Sequence, residues 1–265
     1  MIRAVIVDWA GTIVDFGSIA PVDTFVRVFA RHGVEISPAE ARAPMGHGKR
    51  DHIQAIASAV EERWADANGG RPPTSADVDR MYAEFIPLQI EAVAAHARAI
   101  PGAVDALAEL RRRGLRIGST TGYSREMVSP LEDRARAQGL ILDCVVCASD
   151  VREGRPGPAM ALEAARRLGV APAHAVVKIG DTVADIGEGR SAGMWSVGVA
   201  ATGNEVGLDE EALNALSADE RKRRIDIARE RLLDAGAHAV IDSIAEAPGL
   251  IEALEARLAA GELPG

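Results

Sequence analysis

Six short apolar runs, each rich in β-branched residues, recur along the chain, and helical patterns lie between most of them. Strands that alternate with helices favour a parallel sheet with helices on both faces. The ligand crevice of such an α/β sheet lies beyond the carboxyl ends of its strands. We predict six strands, at residues 4–8, 115–120, 141–148, 175–181, 194–200 and 239–243.

A long helical segment interrupts this alternation after the first strand. Residues 18–100 contain amphipathic helical patterns and no convincing strand. We therefore predict a helical cap domain over 18–100, inserted into a Rossmann-like α/β core of residues 1–17 and 101–265. Two further helices are predicted in the tail, at about 209–235 and 244–260, on either side of the last strand.

Charge and composition argue against several classes of partner. The 265 residues carry a formal net charge of −9, and only 3% of them are aromatic. Binding to nucleic acid or to an acidic membrane surface needs a basic face, and stacking on single strands needs aromatic rings. We therefore expect a small-molecule ligand, with no nucleic-acid and no membrane partner. Without a signal-peptide pattern or a run of about 18 apolar residues, the sequence predicts a cytoplasmic protein.

The two cysteines, Cys144 and Cys147, have the spacing of a redox pair or of half a zinc site. No second pair of ligands accompanies them, and the residues around them have the pattern of a buried strand. Positions three apart in a strand face opposite sides. We interpret both residues as structural free thiols, which suits a reducing compartment.

Three carboxylates follow the ends of two predicted strands. Asp8 ends the run AVIVD, Asp181 ends AVVKIGD, and Asp185 lies one helical turn further on. Each alone could be a helix cap or a solvated acid. Because strand ends meet at one edge of a parallel sheet, we expect the three to converge, and they would repel one another without a cation. Hard oxygen ligands suit Mg²⁺, so the sequence predicts a magnesium site.

An anion site is predicted at the same edge of the sheet. The stretch STTGY offers the hydroxyl of Thr120 or Thr121, and the N–H of Gly122 in the following turn. Arg155, in GRPGP just before a helix, could hold a phosphoryl oxygen and keep a carboxylate nucleophile ionised. Taken alone, Arg155 could equally be a surface arginine, and spacing does not choose between the two threonines.

These motifs together resemble a known superfamily. DxxGT at 8–12, STTG at 119–122, Arg155 and GDTxxD at 180–185 are similar, in this order, to the four motifs of the haloacid dehalogenase superfamily. The helical insertion resembles the cap domain of that superfamily. A narrower similarity, to the phosphonoacetaldehyde hydrolase family, is carried by DWAGT, MGHGKRDHI, IGSTTGYSREM, GRPGP and IGDTVADIGEGRSAGMWSVGV.

The resemblance implies roles for the residues of the core. Asp8 would be the nucleophile and a magnesium ligand, together with Asp181 and the main-chain carbonyl of Ala10. Asp185 would be either a further ligand or the partner of one. Arg155 would hold the phosphoryl group, and alignment with the second motif favours Thr121 as the threonine that contacts it.

The resemblance also makes Lys49, in the cap, a Schiff-base lysine. From its own features, a lysine at the start of a cap helix is most often solvated. The charge of Arg50 would lower the pKa of the amine and favour its free form, and His52 could move protons near neutral pH. The family implies that Met45 and Tyr123 lie near the imine.

The implied reaction accounts for Ala10, which stands where related phosphatases carry an acid two residues after the nucleophile. An alkoxide leaving group needs a proton from such an acid. A phosphonate would expel a carbanion instead, and an imine on Lys49 would accept those electrons as an enamine. The expectation is hydrolysis of the P–C bond of phosphonoacetaldehyde, through an aspartyl phosphate on Asp8, in 2-aminoethylphosphonate degradation.

Two other functions stay open at this point. A phosphate-ester phosphatase or sugar-phosphate mutase of the same fold is one, and a non-catalytic phospho-ligand-binding protein is the other. His47 and Gly48 depart from the bulkier apolar residues usual in the family, which leaves the pocket lining there open. The resemblance further implies a homodimer through the cap, for which apolar positions of the first cap helix could serve unless they form the cap's own core: Val22, Phe25, Val26 and Phe29.

Overall fold

A six-stranded, fully parallel sheet forms the centre of the computed structural model, which describes residues 1–265. The strand order is β3-β2-β1-β4-β5-β6, with the first strand of the chain in the interior of the sheet. Each of the six predicted runs contains one strand, which confirms the α/β fold class. The strands are β1 (Ala4–Val7), β2 (Arg116–Thr121), β3 (Cys144–Cys147), β4 (Val176–Gly180), β5 (Trp195–Val199) and β6 (Ala239–Ile241).

The chain between β1 and β2 is helical, as predicted, and forms the lid over the sheet edge. The boundaries of a separate cap domain at 18–100 stay our prediction. A single helix does not cover 49–67, because Val60 leaves the helical conformation and divides the segment. The cap helices are α1 (Ile19–Arg31), α2 (Pro38–Arg42), α3 (Lys49–Ala59), α4 (Glu61–Ala67) and α5 (Ser75–Ala95).

The apolar stripe of α1 is the core of the cap. Val22, Phe25 and Phe29 are buried, and the ring of Phe25 stacks on that of Phe85 in α5 with a centroid distance of 4.6 Å. Val26 is partly buried against the same cluster. A dimer cannot use the buried Val22, Phe25 and Phe29 without opening the cap, so the suggestion that they form its interface is corrected; of the four positions, Val26 alone is partly exposed.

Seven helices flank the sheet in the remainder of the chain. The prediction of one helix over 209–235 is wrong, because Leu216 and Ser217 are extended and the Ser217 side chain caps a new helix at Glu220 N–H. None of the twelve helices combines the length and the apolar character needed to cross a membrane. The helices are α6 (Ala103–Arg112), α7 (Arg125–Ala137), α8 (Ala159–Leu168), α9 (Val183–Ser191), α10 (Glu210–Ala215), α11 (Ala218–Asp234) and α12 (Ala247–Ala259).

The cap packs directly on the sheet edge that carries the predicted site. One apolar cluster contains both sheet residues such as Val7 and cap residues such as Phe25. Asp8 follows β1, Thr121 ends β2 and Asp181 follows β4. The carboxyl ends of three adjacent strands therefore face the cap, which is where an α/β sheet binds its ligand.

The two cysteines lie on β3 at the edge of the sheet. Cys147 is buried and Cys144 is half-buried, and both are free thiols. Burial raises the pKa of the Cys147 thiol to about 12. A thiol that stays protonated is a poor nucleophile and metal ligand, which agrees with the structural interpretation.

Candidate active site

Three buried carboxylates converge beyond β1 and β4. One oxygen from each of Asp8, Asp181 and Asp185 lies within 4.8 Å of the others. Gly11 makes this approach possible, since it adopts φ +79° and a Cβ there would overlap the Asp181 carboxylate. Closely spaced hard oxygen donors are the ligands that a divalent cation prefers.

The electrostatics of these acids also fit a cation. Burial raises the pKa of Asp8 to about 6, and the charge of Asp185 adds to the rise, while Arg155 and Lys178 oppose it. The pKa of Asp181 is raised well above its usual range by burial and by the other two carboxylates. A divalent metal at this position would stabilise all three in their ionised form. The donor set therefore fits a divalent metal site.

Asp185 differs from the other two because all its hydrogen-bonding positions are taken. Its Oδ1 accepts from Lys178 Nζ at 2.6 Å and forms an ion pair with Arg155 Nη1 at 2.9 Å. Its Oδ2 accepts from the hydroxyl of Thr182 at 2.6 Å. Burial alone would raise the pKa of Asp185, but the two cations hold it below its usual value. This geometry supports Asp185 as the partner of the metal ligands and of Arg155.

Arg155 is buried and joins the nucleophile to the wall of the site. Nη2 donates to Asp8 Oδ1 and to the Thr120 carbonyl, each at 2.8 Å, and Nε donates to Glu188 Oε2 at 2.8 Å. Burial alone would lower the pKa of the guanidinium, but the carboxylates of Asp185, Asp8 and Glu188 raise it above its usual range. Arg155 is therefore not a surface arginine, and its charge faces both Asp8 and the cavity.

The two threonines of STTGY face opposite sides of β2. The Thr120 hydroxyl donates to Glu188 at 3.0 Å and accepts from Arg155, away from the cavity. Thr121 lines the cavity, and its hydroxyl accepts from the N–H of Tyr123 at 3.1 Å. Successive strand residues point to opposite faces, so only one of the pair can meet a ligand. This placement corrects the expectation that Thr120 contacts the substrate.

Lys49 is the first residue of α3, and its amine is buried under the cap with 5% of the residue exposed. Nζ lies 5.1 Å from the ring centroid of Tyr123 and 5.5 Å from that of Phe25, and its one polar contact is Met45 Sδ at 3.8 Å. Burial lowers the pKa of the amine to about 8, with Asp8 acting against this and Arg155 adding to it. Lys49 is thus a desolvated amine with no ion pair.

Two neighbours of Lys49 are not placed as expected. Arg50 points to the surface of the cap, where its Nε pairs with Asp79 at 2.7 Å, so the cation that lowers the lysine pKa is Arg155. His52 stacks on Phe25, and its Nε2 donates to the Ala41 carbonyl at 2.8 Å. Burial holds the pKa of His52 well below 6.5, so the ring is neutral at neutral pH and supports the helix that carries Lys49.

Asp8, Asp181 and Lys49 line one small cavity of about 20 Å³, which has room for about a single water. A larger open cleft of about 470 Å³ lies near His96, but none of the predicted site residues lines it. Nine of the residues predicted from sequence line the small cavity, and Thr120, His52 and Asp185 lie behind it. Its lining residues are Asp8, Ala10, Ser18, Pro21, Met45, Gly46, Lys49, Thr121, Gly122, Tyr123, Arg155, Asp181 and Thr182.

Comparison with known proteins agrees with this geometry. A family model for haloacid dehalogenase-like hydrolases matches residues 2–193. A phosphonoacetaldehyde hydrolase of Syntrophobacter fumaroxidans is 46% identical over 265 residues, which cover 99% of this chain and 95% of that protein. The chain belongs to the phosphonoacetaldehyde hydrolase family of the haloacid dehalogenase superfamily. The resemblance inferred from the motifs is confirmed.

Two further members of this family show a similar degree of sequence identity to this chain. A phosphonoacetaldehyde hydrolase of Nitratidesulfovibrio vulgaris is 47% identical, with 99% of this chain and 94% of that protein covered. The crystal structure of a phosphonoacetaldehyde hydrolase-like protein from Oleispira antarctica is 42% identical and superposes with a TM-score of 0.97, over 99% of this chain and 96% of that one. The family likeness therefore includes the cap as well as the core.

Sequence reasoning missed two charged residues that support the site. Lys178 is fully buried in β4 and pairs with Asp185 at 2.6 Å and with Glu188 at 3.5 Å. The signal was present, because a lysine inside the apolar run AVVKIGD has to find an anionic partner. Glu188 lies one turn after Asp185 in α9 and could have been found as that partner.

Proposed function

We propose that this chain hydrolyses the P–C bond of phosphonoacetaldehyde to acetaldehyde and inorganic phosphate, with Mg²⁺ as the cofactor. One observation carries the proposal: the buried Lys49 amine lines the same small cavity as the Asp8 carboxylate. Two curated relatives bear the name of this activity over 99% of the chain. An amine with a lowered pKa and a carboxylate that face one small cavity suit a substrate with an aldehyde next to a phosphonate.

The residue two positions after the nucleophile favours a phosphonate over a phosphate ester. Ala10 lines the cavity with a methyl group, where an ester hydrolase needs an acid for its departing alkoxide. Of the other carboxyls, Asp181 accepts from the Thr12 hydroxyl at 3.2 Å and from Asn204 N–H at 2.8 Å. These hydrogen bonds hold Asp181 as an acceptor, so the cavity has no carboxyl group placed as the dedicated acid that a departing alkoxide needs.

The first step is condensation of the Lys49 amine with the aldehyde. The nitrogen lone pair attacks the carbonyl carbon, the adduct takes up a proton from solvent, water leaves, and a protonated imine forms on Lys49. The lowered pKa of about 8 gives a larger fraction of free amine near neutral pH than an ordinary lysine has. The rings of Tyr123 and Phe25 face the nitrogen and keep the imine out of water.

The second step breaks the P–C bond. An Asp8 oxygen attacks phosphorus, and the electrons of the bond move into the imine to give a neutral enamine on Lys49. Arg155 holds Asp8 in position, and the Thr121 hydroxyl lies at the cavity wall where the phosphonate oxygens bind. Asp8 and Asp181 would hold Mg²⁺, whose positive charge would offset the carboxylates and the anionic phosphonate.

The third step regenerates the enzyme. The enamine carbon takes up a proton to give an imine, and water hydrolyses that imine to acetaldehyde and the Lys49 amine. A second water hydrolyses the phosphoryl group from Asp8 and restores the carboxylate. The cavity has room for only about one water, so the cap has to open between these steps to exchange product and solvent.

Phosphate release is the direct test of the proposal. The holoprotein with Mg²⁺ should release phosphate from phosphonoacetaldehyde and leave a panel of small phosphate esters unchanged. Borohydride with substrate should reduce the imine and add mass to the Lys49 peptide alone among the three lysine peptides of the chain. Turnover of esters only would favour a phosphatase or mutase, and binding without turnover would favour a phospho-ligand-binding protein.

We also propose a cytoplasmic homodimer that associates through the cap. The two free thiols support a reducing compartment. Because Val22, Phe25 and Phe29 are buried in the cap, the interface has to use other cap residues. Analytical ultracentrifugation measures the oligomeric state, and a monomer at micromolar concentration would contradict the dimer.

A further inference from the structure

We infer that Arg42, on cap helix α2, is a positioning residue that holds the cap closed over the catalytic cavity. Its guanidinium leaves the cap and enters a socket of backbone and amide oxygens. Nη1 donates to the carbonyls of Gly17 at 2.8 Å and Ser18 at 3.1 Å, and to Asn204 Oδ1 at 3.1 Å. Nη2 donates to the carbonyl of Gly207 at 3.0 Å. One cap side chain therefore joins the core–cap junction at Gly17 and Ser18 to the core loop 204–207.

The socket is shaped for a guanidinium. Gly207 has φ +66°, and a Cβ there would lie 2.7 Å from Arg42 Nε and 2.9 Å from Cζ. Of the four neutral acceptor oxygens, three accept from Nη1 and one from Nη2, so the socket uses both arms of the guanidinium fork, which a single ammonium cannot reproduce. Burial lowers the pKa of Arg42, but the carboxylates of Asp15 and Asp181 act against this and favour the cation.

The same core loop holds a proposed metal ligand. The N–H of Asn204 donates to Asp181 Oδ2 at 2.8 Å, while the Asn204 side chain accepts from Arg42. Two residues earlier, the Thr202 hydroxyl donates to the Gly11 carbonyl at 2.8 Å, in the turn after the nucleophile. The same loop therefore contacts both Arg42 of the cap and the carboxylate of Asp181. If cap closure and metal binding each stabilise one conformation of this loop, each should make the other more favourable.

Arg42 also lies at the base of the segment that carries the lysine. Only residues 43–48 separate it from Lys49. This segment packs on the turn after β2 that contains Gly122. A Cβ at Gly122 would lie 2.5 Å from the His47 carbonyl oxygen, so the two backbones are in direct contact. The hydrogen bonds of Arg42 thus fix the position of segment 43–48 on the core, and this segment sets the position of the Lys49 amine relative to Asp8.

The test measures how accessible Lys49 is to an amine reagent, with Arg42→Ala, Arg42→Lys and a matched cap control. Arg63→Ala is that control, because Arg63 contacts only Glu35 and Glu40 inside the cap. The chain has three lysines, so acetic anhydride labelling with peptide mass mapping reports on each. Exposed Lys222 serves as the rate reference, and fully buried Lys178 shows whether a variant is folded.

Opening of the cap should raise the labelling rate of Lys49 relative to Lys222. We expect about a tenfold rise in Arg42→Ala and at least about a threefold rise in Arg42→Lys, because the lysine keeps the charge but loses most of the hydrogen bonds. Arg63→Ala should stay near the wild-type rate, and Lys178 should stay unlabelled throughout. An unchanged Lys49 rate in folded Arg42→Ala, or an equal rise in Arg63→Ala, would overturn the inference.

The catalytic consequence rests on the proposed function, whereas the labelling result does not. If phosphonoacetaldehyde is the substrate, Arg42→Ala should lower kcat/KM by about tenfold or more and raise the Mg²⁺ concentration that gives half-maximal activity. A rise in Lys49 labelling without any turnover of phosphonoacetaldehyde by the wild type would keep the role of Arg42 and reject the substrate.

Discussion

Arg155 donates a 2.8 Å hydrogen bond to the carboxylate of Asp8. The guanidinium charge in the cavity is therefore paired with the nucleophile. Lys49 shares the cavity but pairs with no acid. The ion pair favours the charged form of Asp8, and desolvation favours the neutral form of Lys49. One site thus supports a carboxylate that attacks phosphorus and an amine that attacks a carbonyl.

Replacing Lys49 by arginine should separate these two tasks. Lys49→Arg keeps a cation but cannot form an imine, so we expect phosphate release from phosphonoacetaldehyde to fall by about 10³-fold or more. No borohydride adduct should remain. Lys222→Arg is the matched control, since Lys222 is exposed on α11 and pairs with Asp226. Full activity in Lys49→Arg, measured by phosphate release, would remove the lysine from the mechanism.

Imine trapping should depend on pH through the free amine of Lys49. The lowered pKa of about 8 means that the trapping rate rises with pH up to about 8 and levels off above it. An ordinary lysine would continue to rise toward its pKa of about 10.4. Initial trapping rates with borohydride between pH 6 and 10, read on the Lys49 peptide, give the midpoint. A midpoint above about 10 would show that burial does not shift this amine.

Burying the Lys49 ammonium should also reduce stability. Its pKa is lower in the folded protein than in the unfolded chain, so between about pH 8 and 10.5 the unfolded chain binds more protons and stability rises with pH. Below pH 8 the full penalty applies. Lys49→Met keeps the shape and lacks the charge, and we expect it to be more stable by about 1–3 kcal/mol at pH 7.

Urea unfolding at several pH values checks this expectation. The gain from Lys49→Met should be largest at and below pH 8 and should shrink toward zero near pH 10.5. Lys222→Met, at an exposed position, is the control and should change stability little at any pH. A loss of stability in Lys49→Met at pH 7 would mean that the ammonium is better compensated than its contacts indicate.

The strands and the catalytic acids could be predicted because their signals are local. A buried run that ends in an aspartate, as in AVIVD at Asp8, fixes both the strand and the edge where its carboxylate lies. The choice between Thr120 and Thr121 was different, because it depends on which face of β2 meets the cap. The Arg50 side chain points away from the cavity and pairs with Asp79 because of the way α3 packs on α5, which the sequence does not show.

Long-range partners were the main loss. Arg42 reaches Gly207 across 165 positions of the chain and Asn204 across 162. No spacing in the sequence encodes such distances. The predicted helix over 209–235 failed for a local reason. The Ser217 side chain caps a new helix, and this cap competes with the helical pattern that continues on both sides of it.

The buried pair of Lys178 and Glu188 should show strong coupling in stability. Lys178→Met leaves Asp185 and Glu188 with one cation fewer in a dry site, so we expect a loss of about 3–5 kcal/mol. Glu188→Gln removes one of the competing charges, and the double variant should recover part of the loss. Urea unfolding of the four proteins in this double-mutant cycle gives the coupling energy. Additive effects would show that Glu188 does not share the cation.

Introducing the missing acid should not improve cleavage of the P–C bond. Ala10→Asp places a carboxylic acid where an ester hydrolase protonates its leaving group, but a carbon leaving group is limited by where its electrons go. The added carboxylate also lies in the cavity beside Asp8 and Asp181, whose pKa values are already raised. We expect kcat for phosphonoacetaldehyde to stay equal or to fall, with Ala10→Asn as the neutral control of similar size.

Phosphate release from phosphonoacetaldehyde and from small phosphate esters, measured side by side, tests this prediction. A large gain on the phosphonate in Ala10→Asp alone would mean that proton donation limits the reaction, and the imine on Lys49 would then no longer explain why the chain carries alanine at this position.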